Sequence, residues 1–399
     1  MKLVVLGGCG AMGSGIVRDL IWEKSEGVEK VIVADCNVKK AERLVNELGD
    51  NRLEVQFIDV ANKGEMIELL KTVDVCVNNV PILVGYQMDI FNTCLEAGCP
   101  YIDLGGLGVF TKEQKKLHEK FVAKGVPAIL GMGSAPGFTN VLAKCCVEHL
   151  DEVEKLNVYW GGKYIGPESP VFVAPYNILT LISEYADANT QYIDGEAKTM
   201  PPLSGAQFID LPQPFGRIEF VHTSHSETAT IPDAFKDKGV REVTWRLHMP
   251  ERYDEVMKAL MSVGFGDREP VKVNGVDIDP EKFLEALINR NAEKNKDKIP
   301  APAFGEAEDY EIYFAVGEGE KAGKRTKVTS TCYQSPDRLY MEFGDAATSM
   351  SASIGAQMLG RGEIKPGVWG PEECVDTKRF AEELKKRNFK ITVSEEKVM

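Results

Sequence analysis

The sequence holds no long apolar run: no stretch reaches the roughly 18 residues that a membrane-crossing helix needs. Positive charge is in deficit. Lys and Arg number 47 against 61 Asp and Glu, which leaves a net charge of −14 over 399 residues. Such a surface repels nucleic acid and anionic membranes and leaves room only for local basic pockets. There are five histidines, scattered, and nine cysteines with no Cys-x-x-Cys pair. No metal site is expected from that spacing. An odd number of thiols, with Cys145 and Cys146 adjacent, reads as reduced cysteine in a cytoplasmic protein. The first strand-like segment begins almost at Met1, so no signal peptide is expected. Repeats and low-complexity tracts are also lacking. With 43% hydrophobic and 27% charged residues, the chain reads as a soluble globular protein long enough for two domains.

What is present is concentrated near the N-terminus. Leu3 to Leu6 is a short apolar run, Gly8, Gly10 and Gly13 follow in G-x-G-x-x-G spacing, and residues 14–23 carry apolar side chains at helical intervals. This strand–turn–helix order belongs to a dinucleotide-binding turn. Gly8 is expected to make the tight turn, Gly10 to admit a pyrophosphate, and Gly13 to let helix and strand pack closely. The first N–H groups of the helix then face the phosphates. A second strand, VEKVIVAD, ends at Asp35, 22 positions after Gly13. An acidic residue there bonds a ribose 2′-OH and repels a 2′-phosphate, which favours NAD. Lys39 and Lys40 are placed to neutralise that repulsion, so NADP stays open.

Strand and helix continue to alternate up to about residue 130. Strands are expected over 55–58, 74–80, 101–104 and 127–130, with helices over 38–48, 62–71, 86–97 and 112–124. This predicts a parallel sheet covered on both faces. The pattern then changes. A strand over 153–160 precedes a Pro-, Gly- and aromatic-rich stretch, 167–232, with a helix near 177–188. A strand over 242–248, helices over 251–263 and 280–291, and two alternating segments, 309–316 and 327–334, flanking the charged tip GEGEKAGKR, complete a mixed α+β part. The charge-rich run 289–299 reads as a solvated helix end. From 347 to 388 the chain returns to helix.

In an open parallel sheet, ligands bind beyond the carboxyl ends of the strands, and here those ends carry unusual residues. One reads Asn78-Asn79-Val80-Pro81, another Asp103-Leu104-Gly105-Gly106, and a third GMGSAPGFTN over 131–140. The last can bring backbone N–H groups to a nicotinamide amide or a substrate carboxylate. Asp103 reads as a base, as a binder of a substrate amine, or as a turn former. In Thr223-Ser224-His225-Ser226-Glu227-Thr228, an extended backbone would put His225 and Glu227 on the same side. Such a pair suits proton transfer near neutral pH; the alternative is a surface strand with a satisfied histidine. Asp103, His225 and Glu227 are therefore the catalytic candidates, and Arg217, Arg241, Arg246 and Lys163 the candidates for an anionic substrate group.

The segments VVLGGCGAMG, VADCN, VNNVP, YIDLGG and GMGSAPGFTNVLA, with the tail SIGAQMLGRGEIKPGVWGPEECVDTKRFAEELKKRN, resemble the saccharopine dehydrogenase-like family, nearest in appearance to its lysine 6-dehydrogenase-like branch. The resemblance implies an α/β fold. An N-terminal Rossmann domain, a doubly wound parallel sheet over residues 1–139, would be completed by the tail, 341–399, around an inserted α+β substrate-binding and dimerisation domain, 140–340. It implies NAD(P)-dependent oxidation or reduction at the C–N bond of an amino acid, diamino acid or opine. The alternatives are a carboxylated-polyamine dehydrogenase, a homospermidine synthase-like transferase using NAD as an internal carrier, and a non-catalytic NAD(H)-binding regulator. Carried over by motif, Gly8, Gly10, Ala11, Met12, Gly13 and Asp35 would hold the adenosine half of the cofactor. Asp59, Val80, Pro81, Gly105, Gly133, Ser134, Ala135 and Pro136 would line the nicotinamide half. A small amine substrate, a homodimer or higher homo-oligomer, and a cytoplasmic location complete the expectation.

Overall fold

The structure, a computed structural model, describes residues 1–105, 108–167, 169–299, 308–334 and 346–397. The first six strands are β1 (Lys2–Leu6), β2 (Lys30–Asp35), β3 (Leu53–Phe57), β4 (Val75–Asn78), β5 (Tyr101–Asp103) and β6 (Pro127–Ile129). Then follow β7 (Glu152–Ile165), β8 (Asn189–Ile193), β9 (Glu196–Met200), the hairpin β10 (Gln207–Leu211) and β11 (Gly216–Phe220), and β12 (Glu242–His248). A small hairpin, β13 (Val271–Val273) and β14 (Val276–Ile278), precedes β15 (Glu308–Lys321), β16 (Lys324–Gln334), β17 (Gly367–Trp369) and β18 (Ile391–Lys397). One seven-stranded sheet runs β17-β6-β5-β4-β1-β2-β3, and all its pairs are parallel. A second seven-stranded sheet runs β18-β16-β15-β7-β12-β8-β9, with only β12 and β7 parallel.

Strand β1 shows why the first sheet is closed on both faces. Leu3 and Val5 join the core that contains Ile16, Val17, Met350 and Ile354. Val4 and Leu6 join the opposite core, with Met66, Leu69, Ile90, Phe91 and Phe121. A run of apolar residues without polar alternation is what two-sided burial requires. Helices Ala11–Leu20 and Ala346–Gly360 thus cover one face, and Lys63–Leu70, Gln87–Ala97 and His118–Lys124 the other.

The tail builds much of this domain. The helix Ala346–Gly360 is lined by small buried residues, among them Ala347, Ser349, Ala352, Ser353, Gly355 and Ala356, so it approaches its neighbours closely. A Cβ on Gly355 would lie 2.6 Å from Ile102 Cδ1, and the Ser349 hydroxyl donates to the Met12 carbonyl at 3.1 Å. Strand β17 then adds itself to β6. The expectation that everything from 341 to 399 belongs here needs one correction: β18 pairs antiparallel with β16 in the second sheet. ITVSEEK is an edge strand exposed at every position but Ile391, and nothing in its own pattern names its neighbour. Residues 341–345, where the boundary was expected, lie outside the described residues.

Strands β8 to β11 occupy the Pro-, Gly- and aromatic-rich stretch in which only a helix near 177–188 was expected. In β9 and β10 every side chain is exposed or half-exposed, so they carry no apolar alternation to read. Conversely, β15 and β16 run straight through the expected charged tip and turn at Ala322-Gly323, both with positive φ, as a two-residue hairpin turn requires. Seven of the nine cysteines are buried, Cys36 is exposed, and all are free thiols. Among the described residues, no helix is long and apolar enough to cross a membrane.

Candidate active site

The glycine turn is built differently from its expected form in one respect. The left-handed residue that closes the turn is Gly7, with φ +67, and not Gly8. Gly8 is a packing position: a Cβ there would sit 2.8 Å from the Val5 carbonyl oxygen and 3.0 Å from Val33 Cγ1. Gly13 has its expected role, because a Cβ there would fall 2.2 Å from the Gly7 carbonyl oxygen. Gly10 is the N-cap of helix Ala11–Leu20 and provides no side-chain cap. With Ala11 exposed and Met12 half-buried, the first turn presents backbone N–H groups to an anion. Asp35 ends β2 beside this turn. Its carboxylate accepts from the Cys9 N–H at 3.4 Å and the Asn37 N–H at 2.8 Å. Burial works to raise its pKa, but hydrogen bonds from Cys9 and Asn37 outweigh it and hold the group below the usual carboxylate value. Gly10→Val is expected to weaken dinucleotide binding at least about tenfold in calorimetry, or about 1.4 kcal/mol, with an unchanged far-UV circular dichroism spectrum. Unaltered affinity would place the pyrophosphate elsewhere.

The other strand ends converge on the same edge. The Asn79 amide donates to the Gly7 carbonyl at 3.1 Å, and the Val80 N–H to Asn78 Oδ1 at 3.1 Å. Pro81 and Asp59 are exposed, the latter accepting from the Ala61 N–H at 3.0 Å. Gly105, with φ +66, touches the loop after β6: a Cβ there would lie 2.6 Å from Gly131 Cα and 3.0 Å from Pro136 Cγ. In that loop the Gly133 N–H donates to the Pro136 carbonyl at 2.8 Å. Ser134, followed by Ala135, is braced by the tail: its N–H meets Thr348 Oγ1 at 3.4 Å, and that hydroxyl donates to Ser134 Oγ at 2.8 Å.

Asp103 stands at the centre of these loops but is closed off. Its oxygens accept from five donors: Gln87 at 2.6 Å, Tyr101 at 2.9 Å, Gln114 at 2.9 Å, and the Gly105 and Gly131 N–H groups at 3.0 and 2.7 Å. Burial raises its pKa against those bonds. A carboxylate with its lone pairs so occupied has none to offer an ammonium group. This geometry corrects the base and amine-binder readings of Asp103 in favour of the turn former.

His225 and Glu227 do meet, though not along an extended strand. Ser226 caps a helix that begins at Glu227 and ends at Ala234, and this bend brings His225 Nδ1 to 2.7 Å from Glu227 Oε2. A third group joins them. Glu184, on helix Ile178–Ala186, places Oε1 3.9 Å from His225 Nε2. The exposures of the His225, Glu227 and Glu184 side chains are 10%, 0% and 7%. The Tyr176 hydroxyl donates to Glu184, and the imidazole stacks on Trp245 with centroids 4.2 Å apart. Burial pushes Glu184 up to about 7, against the pull of His225 and Tyr176. Burial lowers the pKa of His225, but Glu227 and Glu184 outweigh it and hold the imidazole above its ordinary value. Two carboxylates around one imidazole form a group that can hold a cation and exchange a proton near neutrality.

The cluster is tied to the nucleotide half. The Thr139 hydroxyl, from the helix that follows the 131–137 loop, donates to Glu227 Oε1 at 2.8 Å. Asn140 reaches Glu372 in the tail at 2.8 Å and Thr230 at 3.3 Å. A Cβ on Gly108, just beyond β5, would lie 2.9 Å from Ala229 Cβ. Sequence reasoning missed Glu184. The available signal was the lone charged residue of a mostly apolar helix, ILTLISEYA. The cationic candidates are engaged elsewhere: Lys163 pairs with Glu251, Arg246 donates to the Gly205 carbonyl at 3.1 Å, and Arg217 lies 5.6 Å from the Phe208 ring centre. Arg241 is exposed.

Comparison with known proteins covers nearly the whole chain. Residues 3–129 match the saccharopine dehydrogenase NADP binding domain and residues 133–389 the saccharopine dehydrogenase C-terminal domain. A carboxyaminopropylagmatine dehydrogenase from Synechocystis sp. is 24% identical and covers 94% of this chain and 93% of its own. A carboxynorspermidine synthase from Vibrio cholerae is 22% identical over 91% of both chains, and one from Vibrio alginolyticus 23% identical over 70% of this chain and 71% of its own. Among solved structures, saccharopine dehydrogenase (L-Glu forming) from Saccharomyces cerevisiae superposes with a TM-score of 0.71 at 15% identity, over 100% of both chains. That likeness concerns the fold.

Proposed function

The chain belongs to the saccharopine dehydrogenase family, and from that membership we propose that it is an oxidoreductase for the secondary amine of a carboxylated polyamine. Family membership makes it an NAD(P)-dependent oxidoreductase. The finer reading is supported by the carboxylated polyamines in the names of its relatives, which favour this substrate class over lysine or an opine. The observation that carries it is the closed cluster of Glu184, His225 and Glu227 on the edge where the nucleotide loops converge. Two carboxylates there suit an amine that arrives as an ammonium ion.

The glycine turn fits a dinucleotide: Gly10 leaves its helix end uncapped, Gly13 admits no side chain, and the Asp35 carboxylate stands beside both. When bound, the dinucleotide exchanges hydride with the carbon next to the substrate nitrogen. The chain's own residues then do the rest. Glu184 binds and orients the ammonium, and the buried charge of Glu227 supports it from behind His225. His225, oriented by Glu227, takes the proton from that nitrogen and returns it in the reverse direction. Asp103 holds the Gly105 and Gly131 backbones, and through them the wall of the site. We propose NAD as the preferred dinucleotide, because Asp35 opposes a 2′-phosphate. Asp35→Ala is expected to narrow an NAD preference of at least about tenfold, or about 1.4 kcal/mol. Tighter binding of NADP by the unmodified protein would show that Lys39 and Lys40 prevail.

The test of function follows NAD(P)H by its absorbance, with carboxynorspermidine, carboxyaminopropylagmatine, saccharopine and lysine as donors. Reduced dinucleotide is expected in proportion to one of the carboxylated polyamines. Preference for lysine or saccharopine, or product without net NAD(P)H, would overturn the reading.

A further inference from the structure

Beside the cluster lies a cavity of about 150 Å³ lined by Val173, Ala174, Tyr176, Glu285, Ile288 and Ala292, with Asn177 and Asn289 at its polar rim. Its walls are the segment 173–178 and the helix Pro280–Lys294. An enclosed cavity of this size admits a molecule no larger than benzene, and this one is lined by polar as well as apolar side chains. It therefore has room for one short arm of an amine and not for a whole substrate. One wall is shared with the reacting centre, because Tyr176 both lines the cavity and donates its hydroxyl to Glu184. Ile178, at the cavity, and Glu184, at the cluster, lie six residues apart on one helix, about 9 Å at 1.5 Å per residue.

Glu285 is the one carboxylate in the lining. It is half-buried, and among the described residues no Lys, Arg or hydrogen-bond donor pairs with it. The other two carboxylates of its helix are paired: Glu281 approaches Arg268 at 3.6 Å and Glu293 meets Lys296 at 3.3 Å. A carboxylate without a partner in such a cleft has lone pairs to offer a cation.

We propose that this cleft is the subsite for the far end of the amine substrate, with Glu285 as the group that binds a terminal ammonium or guanidinium. The apolar lining from Val173, Ala174, Ile178 and Ile288 covers the methylene arm, and Tyr176 couples the occupied cleft to Glu184. The inference rests on the polyamine reading above, and it makes the distance between two cationic nitrogens a criterion of selection.

The experiment uses the full-length protein loaded with dinucleotide and two readouts. Calorimetry with norspermidine, which has amines but no carboxylate, tests the subsite without turnover. The unmodified protein is expected to bind it, Glu285→Gln to weaken binding at least about tenfold, and Glu293→Gln to leave it unchanged. Ala292→Phe, which fills the cleft and keeps every charge, is expected to weaken it as much. In turnover, Glu285→Gln should raise KM for carboxynorspermidine and leave kcat alone. Norspermidine binding that is absent, or equal in Glu285→Gln and the unmodified protein, overturns the subsite. Failure to turn over any carboxylated polyamine, with Glu285-dependent norspermidine binding intact, overturns the proposed reaction instead and leaves the cation site standing.

Discussion

Glu227→Gln is expected to lower kcat/KM for the amine by about a hundredfold, the lower end of what a positioned acid–base group contributes. Dinucleotide affinity and the circular dichroism spectrum should not change. The amide keeps the volume of a fully buried side chain and its bond to Thr139, but it neither orients His225 as a charged partner nor attracts an ammonium. The pH dependence has a definite sign. Burial sets Glu184 at about 7, so below that pH it is protonated and neutral, and its hold on the ammonium is lost. Activity should therefore climb as pH rises through about 7, and Glu184→Gln should remove that limb. His225 titrates above its ordinary value because Glu227 and Glu184 outweigh its burial, so it becomes a free base at a higher pH than an ordinary imidazole does. His225→Asn should flatten the remaining rise. Near-normal kcat/KM for all three variants would move the chemistry to the 131–140 loop.

Arg387→Met is expected to cost about 3–5 kcal/mol of stability, the usual loss when one partner of a buried ion pair is removed. Arg387 and Asp19 are both fully buried. The guanidinium donates through Nε and Nη2 to the two oxygens of Asp19, at 2.8 Å each, and through Nη1 to Glu383 Oε2 at 3.1 Å. Asp19 belongs to the helix that follows the glycine turn, and Arg387 follows the tail's last helix, Thr377–Lys386. The pair thus joins the two ends of the chain. With methionine in place, the buried Asp19 carboxyl group is left without its partner. A lower denaturant midpoint would be seen in urea unfolding. Asp19→Leu combined with Arg387→Met should recover more than half of the loss, because Asp19 is then no longer a buried charge without a partner and Glu383 keeps its pairs with Arg379 and Lys386. An unchanged midpoint for Arg387→Met would show that the tail does not brace the nucleotide domain.

What the sequence determined by itself is what neighbours along the chain determine. The run from Leu3 to Gly13 specifies a strand, a turn and a helix through apolar spacing and the absence of side chains at three positions. Asp35 is placed by the length of the helix and strand that precede it. Alternation up to residue 130 specifies a parallel sheet, since its inner strands are apolar on both sides and each helix on one. The meeting of His225 and Glu227 was legible because they are two residues apart, although a helix start, and not an extended strand, brings them together. The tertiary structure decided the rest. Asp103 looks reactive in sequence, yet donors from Gln87, Gln114, Gly105 and Gly131 close it, and burial and occupied lone pairs are not written in the residues beside it. Glu184 becomes part of the site only because helix Ile178–Ala186 packs near Trp245 and the start of helix Glu227–Ala234. The last strand crosses to the second sheet, and Arg387 finds Asp19 some 368 positions away. Periodicity and turn chemistry act over a few residues and can be read locally. Burial, pairing and charge compensation depend on segments that only folding brings into contact.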